Sequence, residues 1–180
     1  MKIGLFFGSF NPIHIGHLVI ANYMVEFTDL KQVWLVVSPH NPLKEKKWLA
    51  DALKRLTAVK KAVGKNSKIK VSDVEFLLPQ PSYTINTLDV LNKKYPQHEF
   101  VLIIGSDNLN TFHKWKDYKK ILSKHTIYVY PRILPINKGR SRRLLNHRNV
   151  KFINAPRIDI SSTFIREQMK KGKDMGCFLV

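Results

Sequence analysis

One short segment near the start constrains the fold of this chain more than any other. An apolar run at residues 3–7 passes directly into residues 8–17, which read Gly-Ser-Phe-Asn-Pro-Ile-His-Ile-Gly-His. Gly8 lets the backbone approach a ligand closely because glycine has no Cβ. A helix beginning near His14 directs its unpaired N–H groups at the same point, and His17 falls on the same helical face as His14. The segment therefore favours a phosphate-binding turn between a strand and a helix.

Two other interpretations of this segment stay open at this point. The same residue types also form ordinary surface loops, and histidines three residues apart are common on surfaces. Imidazole is a common zinc ligand as well. Zinc would favour a cysteine or a carboxylate nearby, and residues 1–25 contain neither. The sequence thus favours phosphate over zinc, and we predict no metal site made of protein ligands.

Length and composition predict one globular domain covering residues 1–180. The hydrophobic fraction of 44% is typical of a folded protein, and no apolar stretch is long enough to cross a membrane. Met1 and Lys2 lead directly into the first strand, without the pattern of a secretion signal. Cys177 is the single cysteine, so no internal disulfide is expected. These features predict a cytoplasmic protein.

The charge balance indicates anionic ligands. Lysine and arginine number 31 against 13 aspartate and glutamate residues, which gives a formal charge of +18. Such a charge attracts anionic ligands and raises nucleic acid as a partner. The basic residues concentrate at residues 44–70 and 114–148, with the densest cluster at Arg140–Arg143. We interpret most of them as solvated surface.

Short apolar runs alternate with amphipathic stretches along the chain. This alternation predicts a single Rossmann-like, doubly wound α/β domain with a mostly parallel sheet. The predicted strands are Ile3–Phe7, Val33–Val37, Ile69–Val74, Phe100–Ile104, Thr126–Tyr130 and Val150–Ile153. The predicted helices are His14–Phe27, Leu49–Val63, Thr84–Lys94, Tyr118–Ser123 and Ser161–Lys171. In such sheets ligands bind beyond the carboxyl ends of the strands, so the residues that follow each strand become the candidate site.

The loop after the last strand predicts a second phosphate-binding turn. Ser161, Ser162 and Thr163 can offer hydroxyl and N–H groups at a helix start, and Arg166 adds a fixed cation. The same serines and threonine are also common helix N-caps. Both roles are compatible, because capping leaves other N–H groups available.

Other loops at the predicted rim offer contacts to the rest of a nucleotide. Asp107, which follows Gly105, suggests a contact to ribose hydroxyls or a cation, although it is also a suitable N-cap. Trp115 can stack on a planar ring or pack over a loop. Thr84 begins a helix whose backbone could recognise a polar ring substituent. Lys44 can pair with a phosphate, and a solvated lysine is the alternative.

No nucleophile with a paired base stands out in the sequence. Cys177 lies outside any recognisable motif, so covalent catalysis through it is not expected. Two phosphate-binding turns without a nucleophile suggest that the substrates supply the reacting groups. Phosphoryl and nucleotidyl transfer fit this pattern, because positioning and charge stabilisation provide most of their catalysis.

Five segments together resemble a known group of enzymes. Residues 8–17 and 160–166 resemble the two signatures of the HxGH nucleotidyltransferase superfamily. Three further segments narrow the resemblance to bacterial nicotinate-nucleotide adenylyltransferases: residues 39–44, residues 82–84, and residues 105–107 with Trp115. The resemblance implies transfer of the adenylyl group of ATP to nicotinate mononucleotide, which yields deamido-NAD and pyrophosphate in NAD biosynthesis.

The resemblance also implies a role for each signature residue. His14, His17 and Arg166 are expected to stabilise charge on the ATP phosphates. The residues expected to contact ATP are Gly8, Ser9, Phe10, Gly105, Asp107, Ser161, Ser162 and Thr163. Lys44 is expected to pair with the mononucleotide phosphate, Trp115 to stack on the pyridine ring, and Thr84 to help recognise its carboxylate. A magnesium ion held mainly by phosphates and water is expected to accompany ATP.

Other functions stay open from the sequence. Nicotinamide mononucleotide or phosphopantetheine could be the acceptor, although Thr84 and Trp115 argue against phosphopantetheine. The His-Ile-Gly-His string also resembles class I aminoacyl-tRNA synthetases, but the chain has no Lys-Met-Ser-Lys-Ser-type loop and no room for an anticodon domain. A basic RNA-binding module is supported by charge alone. A homo-oligomer is possible, and neither a membrane nor nucleic acid is an expected partner.

Overall fold

Six parallel strands form the centre of the molecule. The structure is a computed structural model that describes residues 1–40, 49–132 and 144–180. The strands are β1 (Lys2–Gly8), β2 (Gln32–Val37), β3 (Ile69–Ser72), β4 (Glu99–Gly105), β5 (Ile127–Tyr130) and β6 (Val150–Phe152). They form one sheet in the order β3-β2-β1-β4-β5-β6, and each neighbouring pair is parallel. The predicted Rossmann-like α/β fold is confirmed.

Helices cover both faces of the sheet. They are α1 (Ile15–Phe27), α2 (Ala52–Val63), α3 (Thr84–Lys94), α4 (Ser106–Leu109), α5 (Tyr118–Lys124) and α6 (Ser162–Lys170), with 3-10 segments at Val74–Leu77, Phe112–Lys114 and Gly176–Phe178. Side chains alternate across each strand, so Leu5 and Phe6 of β1 join different core clusters. Within the described ranges, no helix is long and apolar enough to cross a membrane.

Two predicted boundaries differ from the structure by more than one residue, and most of the others differ by one. The third strand was expected to continue to Val74, but β3 ends at Ser72, which pairs with Val36 of β2. β2 continues to Val37, which pairs with Gly8, but the β3 chain turns at Asp73 into the 3-10 segment Val74–Leu77, and this ends the ladder. The second helix was expected from Leu49, but α2 begins at Ala52 because the Asp51 carboxylate caps it, accepting from the Lys54 N–H at 3.0 Å.

The strand order places a crevice beside β1. From β1 the chain passes to β2 and β3 on one side, and returns to β4 on the other. The loops that leave β1 and β4 therefore separate at the carboxyl end of the sheet. Open parallel sheets bind their ligands at such a switch point, so the fold itself predicts where the site lies.

Candidate active site

A cavity of about 790 Å³ opens at the carboxyl ends of β1, β4 and β5. The turn after β1, the loop after β4 and the residues after β5 form its walls, and the starts of α3 and α6 complete it. Segments from both ends of the chain thus meet in one space. A volume of this size suits a nucleotide-sized ligand.

The turn after β1 is tight and buried. Ser9 is 3% exposed, and its hydroxyl has no hydrogen-bond partner in the part of the chain that the structure describes. Phe10 has φ +45°, a left-handed conformation that a β-carbon disfavours, and its ring packs inward against Phe6. A Cβ on Gly8 would lie 2.8 Å from that ring, so Gly8 is required by this packing as well. The turn keeps the Ser9 hydroxyl and the backbone, rather than bulky side chains, at the cavity.

The two histidines of the first signature lie against each other at the start of α1. His14 is the N-cap of α1, and its ring centroid lies 3.8 Å from that of His17. The His14 backbone N–H donates to Nδ1 of His17 at 3.2 Å. Nδ1 of His17 is therefore an acceptor, which places the proton of its neutral form on Nε2. The Phe10 ring packs edge-on against His17 at 5.0 Å and fixes its orientation.

His14 is neutral in the folded protein. Burial, aided by the positive charge of Arg132, lowers its pKa from 6.5 to about 4. Its side chain is 3% exposed, and Nδ1 has no hydrogen-bond partner within the described ranges. A buried polar atom without a partner costs free energy unless a ligand or water satisfies it. Nδ1 faces the first turn of α1, where a Cβ on Gly16 would lie 3.0 Å from it, while the His14 residue itself lines the cavity.

The hydroxyls of the second signature serve the architecture of the site. The Ser161 hydroxyl caps α6 by accepting from the Phe164 N–H at 3.1 Å, as expected for an N-cap. The Ser162 hydroxyl donates to the carbonyl of Pro12 at 2.9 Å, which joins α6 to the first signature. The Thr163 hydroxyl accepts from Arg166 at 3.2 Å. Phosphate recognition by this helix start would therefore rely mainly on backbone N–H groups.

Arg166 joins the two signatures directly. Its Nη1 donates to the carbonyl of Asn11 at 2.6 Å, and its Nη2 donates to Thr163. A guanidinium has five N–H donors, and beyond these two bonds the other three have no partner among the described residues. The side chain lines the cavity in a fixed orientation, which suits it to bind a phosphate.

Arg132 is a second cation that lines the same cavity as Arg166, and no sequence motif identifies it. It follows the carboxyl end of β5, and its Nη1 donates to the carbonyls of Ile158 and Ile160 at 3.1 and 3.3 Å. Its backbone N–H donates to the Ser106 hydroxyl at 2.9 Å. Its place directly after a strand was the available signal. Arg132 thus links the loop before α6 to the loop after β4.

The loop after β4 brings a carboxylate to the same rim. Asp107 lines the cavity, and its Oδ1 is buried without a hydrogen-bond partner among the described residues. Gly105 does not line the cavity itself; it is the N-cap of the helix that carries Asp107. A Cβ on Gly105 would collide with Asp107 and approach Arg132 to 2.9 Å. Gly105 therefore allows the carboxylate and the cation to share this corner.

The far end of the cavity is lined by aromatic and polar groups. Tyr83 is the N-cap of α3, and Thr84 is its first residue. Trp115 also lines the cavity, packs against Phe112 at 5.2 Å, and has a buried Nε1 without a partner within the described ranges. Nζ of Lys116 lies 4.7 Å from the centre of the Tyr83 ring, which brings the segment of Trp115 close to the start of α3. This end is suited to a planar ring with a polar substituent.

Glu75 is a buried carboxyl group in the same wall, and the sequence analysis missed it. It is 1% exposed, and its Oε1 accepts from the Thr87 hydroxyl at 2.8 Å. Burial raises its pKa, against hydrogen bonds from Ser38, Thr87 and Ser82 that lower it. The side chain therefore ties the end of β2 to the start of α3, which carries Thr84.

Comparison with known proteins agrees with this geometry. The Cytidylyltransferase-like family matches residues 5–168. A protein of Flavobacterium johnsoniae named "Probable nicotinate-nucleotide adenylyltransferase" is 56% identical over 175 residues, which cover 97% of this chain and 90% of that protein. A protein of Bacteroides fragilis with the same name is 48% identical over 99% of this chain and 87% of its own length. The chain belongs to the nicotinate-nucleotide adenylyltransferase family.

A solved structure of another protein has the same fold as this chain. The Plasmodium falciparum nicotinic acid mononucleotide adenylyltransferase, solved in complex with NaAD, aligns with a TM-score of 0.79 at 20% sequence identity. The alignment covers 97% of this chain and 86% of that one. At this identity the likeness establishes the fold.

Most residues predicted from the sequence come together in the cavity. The predicted residues that line it are Gly8, Ser9, Phe10, His14, His17, Thr84, Asp107, Trp115, Ser161, Ser162, Thr163 and Arg166. Gly105 lies just behind Asp107. Lys44 and the Arg140–Arg143 cluster lie outside the described residues. The roles of the individual side chains stay predictions, which are based on the resemblance to nicotinate-nucleotide adenylyltransferases.

Proposed function

We propose that this protein transfers the adenylyl group of ATP to nicotinate mononucleotide, producing deamido-NAD and pyrophosphate. The observation that carries the proposal is the meeting of the two signatures, where Arg166 bonds to the Asn11 carbonyl beside His14 and His17. The aromatic end of the same cavity, with Thr84 and Trp115, gives the second substrate a place beside the first. Membership of the nicotinate-nucleotide adenylyltransferase family agrees with both features.

The reaction needs no protein nucleophile. A 5′-phosphate oxygen of the mononucleotide attacks the α-phosphorus of ATP, and the bond from that phosphorus to the bridging oxygen of the β-phosphate breaks. Pyrophosphate leaves with the electron pair. The attacking phosphate is anionic near neutral pH, so no general base is required. Catalysis then depends on aligning the two anionic substrates and on stabilising charge during transfer.

Charge stabilisation would come from groups that are already fixed before the substrates bind. Arg166 and Arg132 are held by carbonyl and hydroxyl oxygens, so little reorganisation is needed. His17 would donate through Nε2, since its Nδ1 accepts from the His14 backbone. His14 enters the complex neutral, and the charge of the ATP phosphates would raise its pKa and favour its protonated form. The adenosine would lie toward Asp107 and Gly105.

The mononucleotide would occupy the aromatic end. Trp115 would stack on the pyridine ring, and the start of α3 at Thr84 would recognise the carboxylate through backbone N–H groups and the helix dipole. Lys44 is proposed to pair with its phosphate. The carboxylate of nicotinate suits a positive helix end better than a neutral amide does, which favours nicotinate over nicotinamide mononucleotide.

A divalent cation, which we propose to be Mg²⁺, would accompany ATP. Asp107 lines the cavity, and its buried Oδ1 has no hydrogen-bond partner among the described residues, so this carboxylate would face the ribose of ATP and could also lie near the cation. Among the described residues, no three His, Cys, Asp or Glu side chains form a metal-binding group. The cation would therefore take most of its ligands from phosphates and water, and neutralise the triphosphate.

Pyrophosphate release tests the proposal. The purified protein is incubated with Mg-ATP and, in separate reactions, with nicotinate mononucleotide, nicotinamide mononucleotide or phosphopantetheine. We expect the fastest release with nicotinate mononucleotide and the appearance of deamido-NAD. No release with either pyridine nucleotide would contradict the proposal, and salt-sensitive RNA binding without transfer would favour the RNA-binding alternative.

His17→Ala supplies a second test within the same assay. We expect turnover to fall by about 100-fold or more, as when a preorganised donor to the transition state is removed. Circular dichroism should show the same folded protein as the wild type. Unchanged turnover would show that His17 is not a catalytic residue.

Three further expectations stay predictions: the cytoplasmic location, the single domain over residues 1–180 and the homo-oligomer.

A further inference from the structure

Arg55 is a buried cation on α2 that lies behind the active-site loops. Only 3% of the residue is exposed, and it does not line the cavity. Its Nε donates to the carbonyl of Ala50 at 2.9 Å, and its Nη1 donates to those of Ser9 and Ser38 at 2.6 and 2.8 Å. Its Nη2 donates to the carbonyl of Pro39 at 2.8 Å. Among the described residues it forms no ion pair within 4.0 Å, and carbonyl oxygens accept these hydrogen bonds. Burial lowers the pKa of Arg55, and the negative charge of Asp51 raises it in partial compensation.

The loops that Arg55 joins are the ones that leave β1 and β2. Ser9 precedes Phe10, whose left-handed backbone is disfavoured and needs support from its surroundings. Ser38 and Pro39 lead to the loop in which Lys44 is predicted to bind the mononucleotide phosphate. One guanidinium thus connects a loop that is predicted to bind ATP with a loop that is predicted to bind nicotinate mononucleotide.

The direction of the peptide groups shows what these bonds achieve. In a trans peptide the C=O and the following N–H point in opposite directions. The Ser9 carbonyl faces Arg55, so the N–H of Phe10 is turned away from the helix that carries Arg55. The Pro39 carbonyl faces Arg55 in the same way and turns the N–H of His40 away. Neither N–H has a hydrogen-bond partner within the described ranges, and a charged donor on the carbonyl strengthens the N–H as a donor.

The same connection continues to the pyridine end of the site. The carbonyl of His40 accepts from the Ser82 N–H at 3.0 Å, and Ser82 lies two residues before Thr84. A shift of the Pro39–His40 peptide would therefore be felt at the start of α3. Arg55 thus holds the loops after β1 and β2 directly, and reaches the start of α3 only through the His40 carbonyl.

We propose that Arg55 is a positioning residue for adenylyl transfer: it fixes the Ser9–Phe10 turn and the Ser38–His40 loop together, so that their N–H groups meet the two anionic substrates in register. This inference rests on the function proposed above. A methionine of similar length would remove every donor, and a lysine would keep the charge but lose the planar fork that reaches both loops at once.

Arg55→Met and Arg55→Lys test the inference, with Lys54→Met as the matched control. Lys54 is exposed on the same helix, so its substitution removes one positive charge without touching the loops. The measurements are kcat, the KM for ATP and the KM for nicotinate mononucleotide, on protein shown to be folded by circular dichroism. For Arg55→Met we expect kcat/KM to fall by about 100-fold, the scale of a 1 Å misplacement, with both KM values raised. Arg55→Lys should lie between Arg55→Met and wild type, and Lys54→Met should match the wild type.

A purely structural role would give a different result. Loss of stability alone lowers the amount of active enzyme, and hence kcat, but leaves both KM values of the folded fraction unchanged. Unchanged KM values in the folded variants would overturn the proposal, and Arg55→Lys decides it if Arg55→Met does not fold.

ATP binding by calorimetry separates this inference from the proposed function. If the wild type binds ATP but transfers nothing, the proposed function fails, and the ATP affinities of the variants still decide the role of Arg55 at the Ser9–Phe10 turn. Equal ATP affinity in Arg55→Lys and Lys54→Met would then refute the role. A wild type that does not bind ATP would overturn both.

Discussion

The buried imidazole of His14 makes a quantitative prediction about stability and pH. Its pKa is lowered from 6.5 to about 4 by burial and by Arg132, so the folded protein resists protonation that the unfolded chain accepts. The full stability is present above pH 6.5 and is lost as the pH falls toward 4. At pH 4.5 this loss amounts to about 2.5 kcal/mol, since each pKa unit is worth about 1.4 kcal/mol. His14→Gln removes the titrating group and with it this part of the loss.

Urea unfolding of the wild type and of His14→Gln, followed by circular dichroism between pH 7.5 and 4.5, measures this effect. Other groups also respond to pH: burial lowers the pKa of His125 and raises that of Glu75. Both are present in the two proteins, so their contributions cancel in the difference. We expect the free energy of unfolding of the wild type, relative to the variant, to fall by about 2 to 3 kcal/mol over this range. A difference that stays constant with pH would refute the assignment of a neutral, buried His14.

Three further predictions follow from the walls of the cavity. Trp115→Ala should raise the KM for nicotinate mononucleotide by about tenfold, through lost stacking, with the KM for ATP unchanged; steady-state kinetics checks this, and an equal rise for both substrates would contradict it. Gly105→Ala should weaken ATP binding measured by calorimetry by about tenfold, because the new Cβ displaces Asp107 and Arg132; unchanged affinity would argue against that corner as the adenosine site. Glu75→Gln should raise the melting temperature at pH 8 but not at pH 4, because the raised pKa of Glu75 means that stability is lost as the carboxyl ionises; an equal effect at both pH values would contradict this.

The strands and most helix boundaries were predictable because their signals are local. Parallel strands buried on both faces are continuous apolar runs, as in Val101–Ile104, and helix starts carry capping residues such as Ser161. The predicted helix Thr84–Lys94 has the same bounds in the structure. Val74 was predicted wrongly because the apolar run continues into the 3-10 segment Val74–Leu77, and a short apolar run does not distinguish a strand from a helical turn.

Some functional residues of the site can be identified from local sequence motifs, and others cannot. His14, His17 and Arg166 lie in short motifs with recognisable spacing, so the sequence identifies them. Arg132 and Arg55 do not, because each acts through carbonyl groups of segments distant along the chain. The hydroxyls at the start of α6 show the opposite case, since the motif is visible but its bonds to Pro12 and Arg166 require the tertiary structure.

The bond between Arg166 and the Asn11 carbonyl spans 155 residues, and that between Ser162 and the Pro12 carbonyl spans 150. During synthesis, the first signature leaves the ribosome long before its partner exists. A growing chain can pair β1 with β2 and β4 while the phosphate-binding groups are still half assembled. Contacts of this sequence separation form late, because their loop-closure entropy is the largest. Adenylyl transfer would thus report completed folding, and partly synthesised chains that lack α6 would not consume ATP.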